Sequence, residues 1–440
     1  MVGISIYDVP MLYRFLSIFA LTAAITQTQT PPAAAPPKEV AGISVNYDEA
    51  KVGNYTLPDP LRLANGKQVK DAKTWYAKRR PEIVRLFEEN QFGRSPAAPP
   101  ADLSADRFDT GTAAFDGAAM RTQTTIYFGK DKATGPKMNL LLYLPAKAQK
   151  PVPVLLNIGF SSNAAVVNDP GVAEGEVWNR DHKKVPGKQG MAIGKIDVAS
   201  VINAGFGFAS VYYGDIEPDF DGGLPYGVRS LYPKPAPDEW GAIAAWSWGL
   251  SRALDYLEKD PGVDGKRVAL YGASRLGKTV LWAAARDTRF AAVVACCSGE
   301  GGAALSRRDY GETIAHLVAP GRFPYQFAAN YAKFAQHVDQ FPVDANMLIA
   351  LIAPRPLFLQ TGDTDYWSDP KGEFLAAKAA GPVYQLLGKQ GLETDEWPPA
   401  GVAIMHTLGY YMHSGGHGTL PSDWPQFLKF LQLQLADAKM

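Results

Sequence analysis

Between Lys266 and Asp287 the chain reads KRVALYGASRLGKTVLWAAARD. A short apolar run gives way, across a serine flanked by small residues, to a stretch with helical spacing. A buried strand over Arg267–Tyr271 therefore turns sharply into a helix from Arg275 onward, with Ser274 at the corner. A strand followed by such a helix calls for parallel neighbours and cover on both faces of the sheet. Other segments supply both. Strands are expected around Thr122–Phe128, Asn139–Leu144, Pro153–Phe160, Phe206–Tyr213, Ala291–Cys296 and Pro356–Gln360. A packing helix is expected over Asp71–Phe92, with Trp75, Ile83, Leu86 and Phe87 on one face and Gly93 as its stop. Glu239–Glu258 places Trp240, Ile243, Trp246, Leu250 and Leu254 at helical spacing, which marks a face packed on the sheet. The expected fold is α/β, of the α/β-hydrolase kind: a mostly parallel central sheet with helices on both faces, a three-layer sandwich.

The ends and the charge balance narrow the setting. Arg14 precedes the apolar run Phe15–Ala24, which reads as a secretory signal over residues 1–28, with Met1 or Met11 as the start. The run is too short for a comfortable membrane span. A Pro/Ala-rich linker is expected at 29–39, followed by one catalytic domain over 40–440. The protein is expected to be secreted or periplasmic and monomeric. Its 440 residues carry 44 basic and 44 acidic side chains. That balance argues against nucleic acid or a stable membrane partner held by bulk charge. The two cysteines, Cys296 and Cys297, are neighbours in sequence, so no disulfide framework is expected, and no metal site either, since no further Cys or His stands at ligand spacing.

Ser274 lies in the strand-to-helix context of a nucleophile elbow, although the flanking glycine of G-x-S-x-G comes one place late, at Gly277. The Arg275 amide opens the helix, where free N–H groups and the helix dipole favour an oxyanion; a second donor is expected from the loop after Phe160. A base is expected on a late loop, and YYMHSGGHGTLPSDW offers His413 and His417, of which His417 is preferred. For the acid, PLFLQTG leads to Asp363 and Asp365. Asp365 is preferred, with an Asx turn or helix cap as the alternative role for Asp363 or Asp369. Glu300 is the rival acid. The long polar stretch Ser161–Asp197 reads as an insertion or rim loop.

Several of these segments resemble one family. GASRLGK (Gly272–Lys278) is similar to the serine motif of the glucuronoyl esterases, carbohydrate esterase family fifteen. The likeness continues through SGEGGAALSRRDYGET (Ser298–Thr313), FPVDANMLIALIAPRPLF (Phe341–Phe358), DYWSDPKGEF (Asp365–Phe374) and GGHG (Gly415–Gly418). It looks closest to the bacterial members and covers most of the chain beyond about Trp75. The resemblance implies cleavage of the ester between 4-O-methyl-glucuronic acid of glucuronoxylan and lignin alcohols. It implies Ser274 as nucleophile, His417 as base and the Arg275 side chain at the oxyanion, with Lys278, Glu312 and Trp367 holding the uronate. Each of these last three has a bland alternative: a solvated Lys278, a Glu312 paired with Arg307 or Arg308, a Trp367 in the core. Many members carry the acid where this chain has Cys297, and a thiol cannot serve. Bacterial members with the acid at the later strand exit support Asp365. The disulfides of the fungal members are absent, and HSGGHG lacks the arginine of the commoner histidine loop.

The resulting expectation is a cofactor-free, two-step acyl transfer on a glucuronoxylan or lignin–carbohydrate ester. Two alternatives stand beside it: an esterase for acetylated xylan or another small carbohydrate ester, and a non-catalytic carbohydrate-binding derivative.

Overall fold

One sheet of nine strands carries most of the apolar runs. The computed structural model describes residues 36–190, 196–232 and 238–435, all within the unit Pro36–Met440. The expected signal segment and the linker up to residue 35 lie outside the described residues. In chain order the strands are Ser104–Ala114 (β1), Ala119–Tyr127 (β2), Lys137–Pro145 (β3), Val152–Gly159 (β4), Gly207–Tyr212 (β5), Val263–Ala273 (β6), Ala292–Cys296 (β7), Leu357–Gly362 (β8) and Leu408–His413 (β9). Their order across the sheet is β9-β8-β7-β6-β4-β5-β3-β2-β1. The six from β9 to β5 pair in parallel, and β3, β2 and β1 continue as an antiparallel edge.

Parallel strands covered on both faces are apolar along their length rather than alternating. Every residue of β5, β7, β8 and β9 is buried. Alternate side chains point to two separate cores. Leu270, Val293 and Leu359 face helices Ala242–Leu257 (α1), Arg275–Arg286 (α2) and Pro370–Leu386 (α3). Ala269, Val294 and Phe358 face Trp424–Leu435 (α4) and the short helix Val198–Asn203. The α/β-hydrolase architecture expected from the sequence is present. The stripe of Trp240, Ile243, Trp246, Leu250 and Leu254 is fully buried, so it is a packing face.

The N-terminal helical stretch opens on Asp71, whose side chain accepts from the Thr74 N–H at 2.7 Å. Helical turns run from Ala72 to Phe92. Trp75, Ile83 and Phe87 are buried and Leu86 is half-buried. Gly93 ends the stretch at φ 85°, where an added Cβ would stand 2.2 Å from the Glu239 carbonyl oxygen. The rim from 161 to 197 is largely irregular, with one helical turn at Asn163–Val166 and a two-stranded ribbon pairing Glu176–Trp178 with Lys184–Pro186. Residues 191–195 lie outside the described residues. β1, β9 and α3 had no counterpart in the sequence reading.

Ligand sites of open α/β sheets gather at the carboxyl ends of parallel strands. Here Phe160, Ser274, Cys297, Asp365 and His417 all lie just past the ends of β4, β6, β7, β8 and β9. At the β6 turn a Cβ on Gly272 would sit 2.4 Å from the backbone oxygen of Leu276. Backbone cannot yield as a flexible side chain does, so Gly272→Ala is expected to lower stability in urea unfolding by about 1–3 kcal/mol, the usual cost of overpacking. Ester hydrolysis is expected to fall with it.

Candidate active site

The turn that follows β6 holds Ser274 at φ 56° and ψ −130°, a conformation that a residue with a side chain adopts only under constraint. Its N–H donates to the Cys296 carbonyl at 2.8 Å, and its own carbonyl accepts from Lys278 N–H at 3.1 Å, closing the first turn of α2. The serine is thus fixed at the N-terminus of a helix, with the Arg275 amide next to it.

His417 and Asp365 arrive from neighbouring strand exits. The His417 Nδ1 lies 2.7 Å from Asp365 Oδ2 and 3.1 Å from Ser368 Oγ. An ionised carboxylate only accepts, so this contact makes Nδ1–H the donor and leaves Nε2 as the basic nitrogen of the ring. Asp365 is buried, whereas the His417 side chain is 44% exposed. The two exit loops are tied together by one side-chain and one backbone bond: Asp363 Oδ1 accepts from Gly415 N–H at 2.8 Å, and Thr364 N–H donates to Gly415 O at 3.0 Å.

The rivals sit elsewhere. His413 is buried, with Nδ1 2.9 Å from Asp423 and Nε2 3.0 Å from the Gly416 carbonyl. Burial is the largest influence and pulls its pKa down, but the hydrogen bonds to Asp423 and Gly416 and the charges of Asp423 and Asp363 together outweigh it and hold the pKa above the usual value. Glu300 accepts from Ser306 Oγ at 2.6 Å and Tyr331 O–H at 2.7 Å, away from His417, and burial pushes its carboxyl up to about 8. Asp369 caps α3 by accepting from Gly372 N–H at 3.0 Å and pairs with Arg308 at 2.9 Å.

Ser274, Arg275 and His417 line two adjoining lobes. One, of about 290 Å³, is polar and includes Lys278, Glu312, Arg322 and Trp367. Lys278 is buried rather than solvated; desolvation lowers its pKa, against the opposing charge of Glu312. Glu312 pairs with Arg322 at 2.9 Å, while Arg307 pairs with Asp344 and Arg308 with Asp369. Trp367 is half-buried, edge-on to His316 at 5.3 Å. The second lobe, of about 410 Å³, is lined by Ile158, Phe160, Val166, Ile196 and Tyr271, a mostly apolar wall.

Arg322, which lines this cleft, and Asp219, which is buried against Arg275, have no signal in the sequence. Arg322 bridges Glu312 and the Trp367 ring, 5.8 Å from its centroid. Asp219 anchors Arg275 through an ion pair with Nη1. The same carboxylate accepts from Tyr325 O–H at 2.9 Å, Gln326 Nε2 at 2.7 Å and Tyr213 O–H at 3.2 Å. No local motif announces such a hub, because its partners lie far apart in sequence. Cys296 and Cys297 are both free thiols.

A serine on an elbow, an imidazole held by a carboxylate and a cationic side chain at the same cleft define a carboxylic ester hydrolase of the α/β-hydrolase class. The glucuronyl esterase family of fungi matches residues 229–388. A carbohydrate esterase from an unknown prokaryotic organism is 42% identical over 399 residues, spanning 88% of this chain and 91% of that protein. A solved glucuronoyl esterase from Solibacter usitatus superposes with a TM-score of 0.83 at 47% identity, covering 88% of this chain and all of that one. The 4-O-methyl-glucuronoyl methylesterase of Cerrena unicolor is 27% identical over 359 residues, 79% of this chain and 65% of that protein. The chain belongs to the glucuronoyl esterases, carbohydrate esterase family 15.

The two carboxylates predict opposite behaviour. Glu300→Gln preserves the neutral species, so ester hydrolysis at pH 7 is expected to persist, while Asp365→Asn is expected to lose it by about 10⁴-fold in kcat. For stability the sign follows from burial. A carboxyl whose folded pKa is raised from 4.5 to about 8 stabilises fully below about 4.5, and that contribution is lost as pH climbs to about 8. Urea unfolding should therefore show Glu300→Gln gaining on the wild type between pH 5 and 8.

Proposed function

We propose that this protein hydrolyses esters of (4-O-methyl-)glucuronic acid, with the uronate in the polar lobe and the alcohol in the apolar lobe. The observation that carries this reading is the placement of Ser274 between two chemically unlike lobes, beside an imidazole already bonded to Asp365. In the first step His417 takes the Ser274 proton, Oγ attacks the uronoyl carbonyl and His417 returns the proton to the leaving alcohol. A water molecule, deprotonated by His417, then cleaves the acyl-enzyme and releases the free uronic acid. Asp365 orients the ring and stabilises its cationic form. Arg275 and the amides at the start of α2 stabilise the oxyanion.

Within the polar lobe Lys278 donates to sugar hydroxyls, Glu312 accepts from them and Trp367 offers an apolar face to C–H groups. The apolar lobe suits an aromatic or aliphatic alcohol, which fits lignin–carbohydrate esters of glucuronoxylan as the natural substrate. Secretion or delivery to the periplasm through residues 1–28 belongs to the same reading, as does a single catalytic domain acting as a monomer. Among the described residues no helix is long and apolar enough to cross a membrane.

Benzyl glucuronate, methyl glucuronate and an acetylated sugar distinguish this reading from its rivals. Benzyl glucuronate is expected to be the best of the three, and Lys278→Ala or Glu312→Ala to lower kcat/KM on it by about 5- to 150-fold per variant, the usual yield of a lost polar contact of about 1–3 kcal/mol. Turnover confined to the acetyl ester, or unchanged in both variants, would retire the uronate assignment. Asp219→Asn leaves the lobes intact but removes the ionic anchor of Arg275; its kcat is expected to drop about 10- to 100-fold with KM little changed, as for a loosened oxyanion donor.

A further inference from the structure

Cys297 plays no part in the acyl transfer described above, yet it borders the same cleft. It lies one residue past β7, with a left-handed backbone at φ 45°, and is almost wholly buried. Its Sγ donates to the Gly418 carbonyl at 3.3 Å and accepts from the Gly418 N–H at 3.3 Å, packing the thiol under the histidine loop. One ligating atom each from Cys297, Asp365 and His417 lies within 4.8 Å of the other two. Among the described residues no other three His, Cys, Asp or Glu side chains converge in this way. All three line the polar lobe, so an ion has a route to them.

The convergence is a product of the parallel sheet. The three residues leave β7, β8 and β9, and backbone bonds lock these exits together: Cys297 N–H to Gln360 O at 2.7 Å and Asp363 N–H to His413 O at 3.0 Å. Ligand spacing along the sequence gives no hint of it, which is why no metal site was expected there.

We propose that Cys297, Asp365 and His417 form an inhibitory site for a thiophilic divalent cation of the zinc class, and that occupation of the site switches the esterase off. The switching half rests on the function proposed above; the binding half does not. Thiolate, imidazole and carboxylate are the ligands zinc takes, at about 2.0–2.3 Å, so a tetrahedral site needs ligand atoms about 3.5 Å apart. The three atoms lie within 4.8 Å of one another, with His417 Nδ1 and Asp365 Oδ2 at 2.7 Å, so coordination needs that pair to part and the set to close around the ion, a shift that the exposed His417 on its glycine-rich loop allows. Calcium and magnesium, which prefer all-oxygen shells, fit poorly. As the metal bonds form, the thiol proton passes to solvent, the Nδ1 proton of His417 is exchanged through solvent for one on Nε2, and nothing is oxidised or reduced. The ion then occupies the carboxylate and the imidazole that proton transfer requires, and its fourth position opens toward the cleft.

The test uses the full chain, Zn²⁺ titrated into a benzyl glucuronate assay, and Co²⁺ binding followed by absorption. The expected result is inhibition by zinc that EDTA reverses and that equal calcium or magnesium does not produce, together with a thiolate-to-cobalt charge-transfer band in the near ultraviolet. Cys297→Ser keeps a hydroxyl for the Gly418 contacts, and Cys297→Ala serves as a second variant. Relative to its own metal-free rate, each is expected to need at least about tenfold more zinc for half-inhibition, since loss of even an outer partner costs that much. Each is also expected to lose the cobalt band. Equal zinc sensitivity in wild type and both variants, or no band from the wild type in excess cobalt, overturns the proposal. A wild type that shows the band but turns over no uronate ester, with or without metal, supports the site and overturns the esterase reading instead.

Discussion

Everything at the cleft depends on one backbone conformation, that of Ser274 at φ 56° and ψ −130°. A residue with a side chain pays on the order of 1–3 kcal/mol to sit in such a region, and it does so only where its surroundings leave no alternative. Here the N–H is held by Cys296 O at 2.8 Å, and α2 begins one residue later. Small neighbours let the helix approach: a Cβ on Gly277 would stand 2.8 Å from the Cys296 carbonyl oxygen. The late glycine at 277, instead of the usual place in the elbow motif, is therefore a requirement of packing between α2 and β7. Ser274 and Arg275 both line the cleft at the start of α2.

Around this turn the charges are sorted by how their burial is compensated. Glu300 and Glu373 are buried carboxyls pushed up to about 8, so at neutral pH they serve as hydrogen-bonding groups rather than charges. Glu373 accepts from Ser298 Oγ and the Gly299 N–H, bracing the turn after Cys297. Asp219 is matched by Arg275 and by three neutral donors. Asp365 is placed against the half-exposed His417 imidazole, which opens to the cleft. Lys278 is left with Glu312 as its principal opposing charge and a cleft in front of it, an arrangement suited to a polar ligand.

Much of the fold was legible because parallel strands buried on both faces leave continuous apolar runs, as in β4, β5 and β7. The strand β1 was not, since it is an antiparallel edge whose residues are mostly exposed and polar. The helix α3 was missed because its opening, Asp369-Pro370, reads equally as a turn, and only the cap on Gly372 and the pairing with Arg308 settle it. Among the candidate site residues, those on local motifs could be singled out in the sequence: Ser274 from its elbow, His417 from its glycine loop, Asp365 from its strand exit. Asp219 and Arg322 were not, because each acts through partners that only the tertiary fold assembles. The apolar lobe was equally hidden: its wall is built from the ends of β4 and β6 and from the rim loop, whose pattern carries no period.

The most direct test of the central claim is rapid-quench mass spectrometry of the protein during turnover of benzyl glucuronate. A transient uronoyl adduct is expected on the peptide bearing Ser274, formed with a burst of benzyl alcohol and absent from Ser274→Ala, which should be inactive. Steady turnover in Ser274→Ala, or an adduct on a different residue, would contradict it.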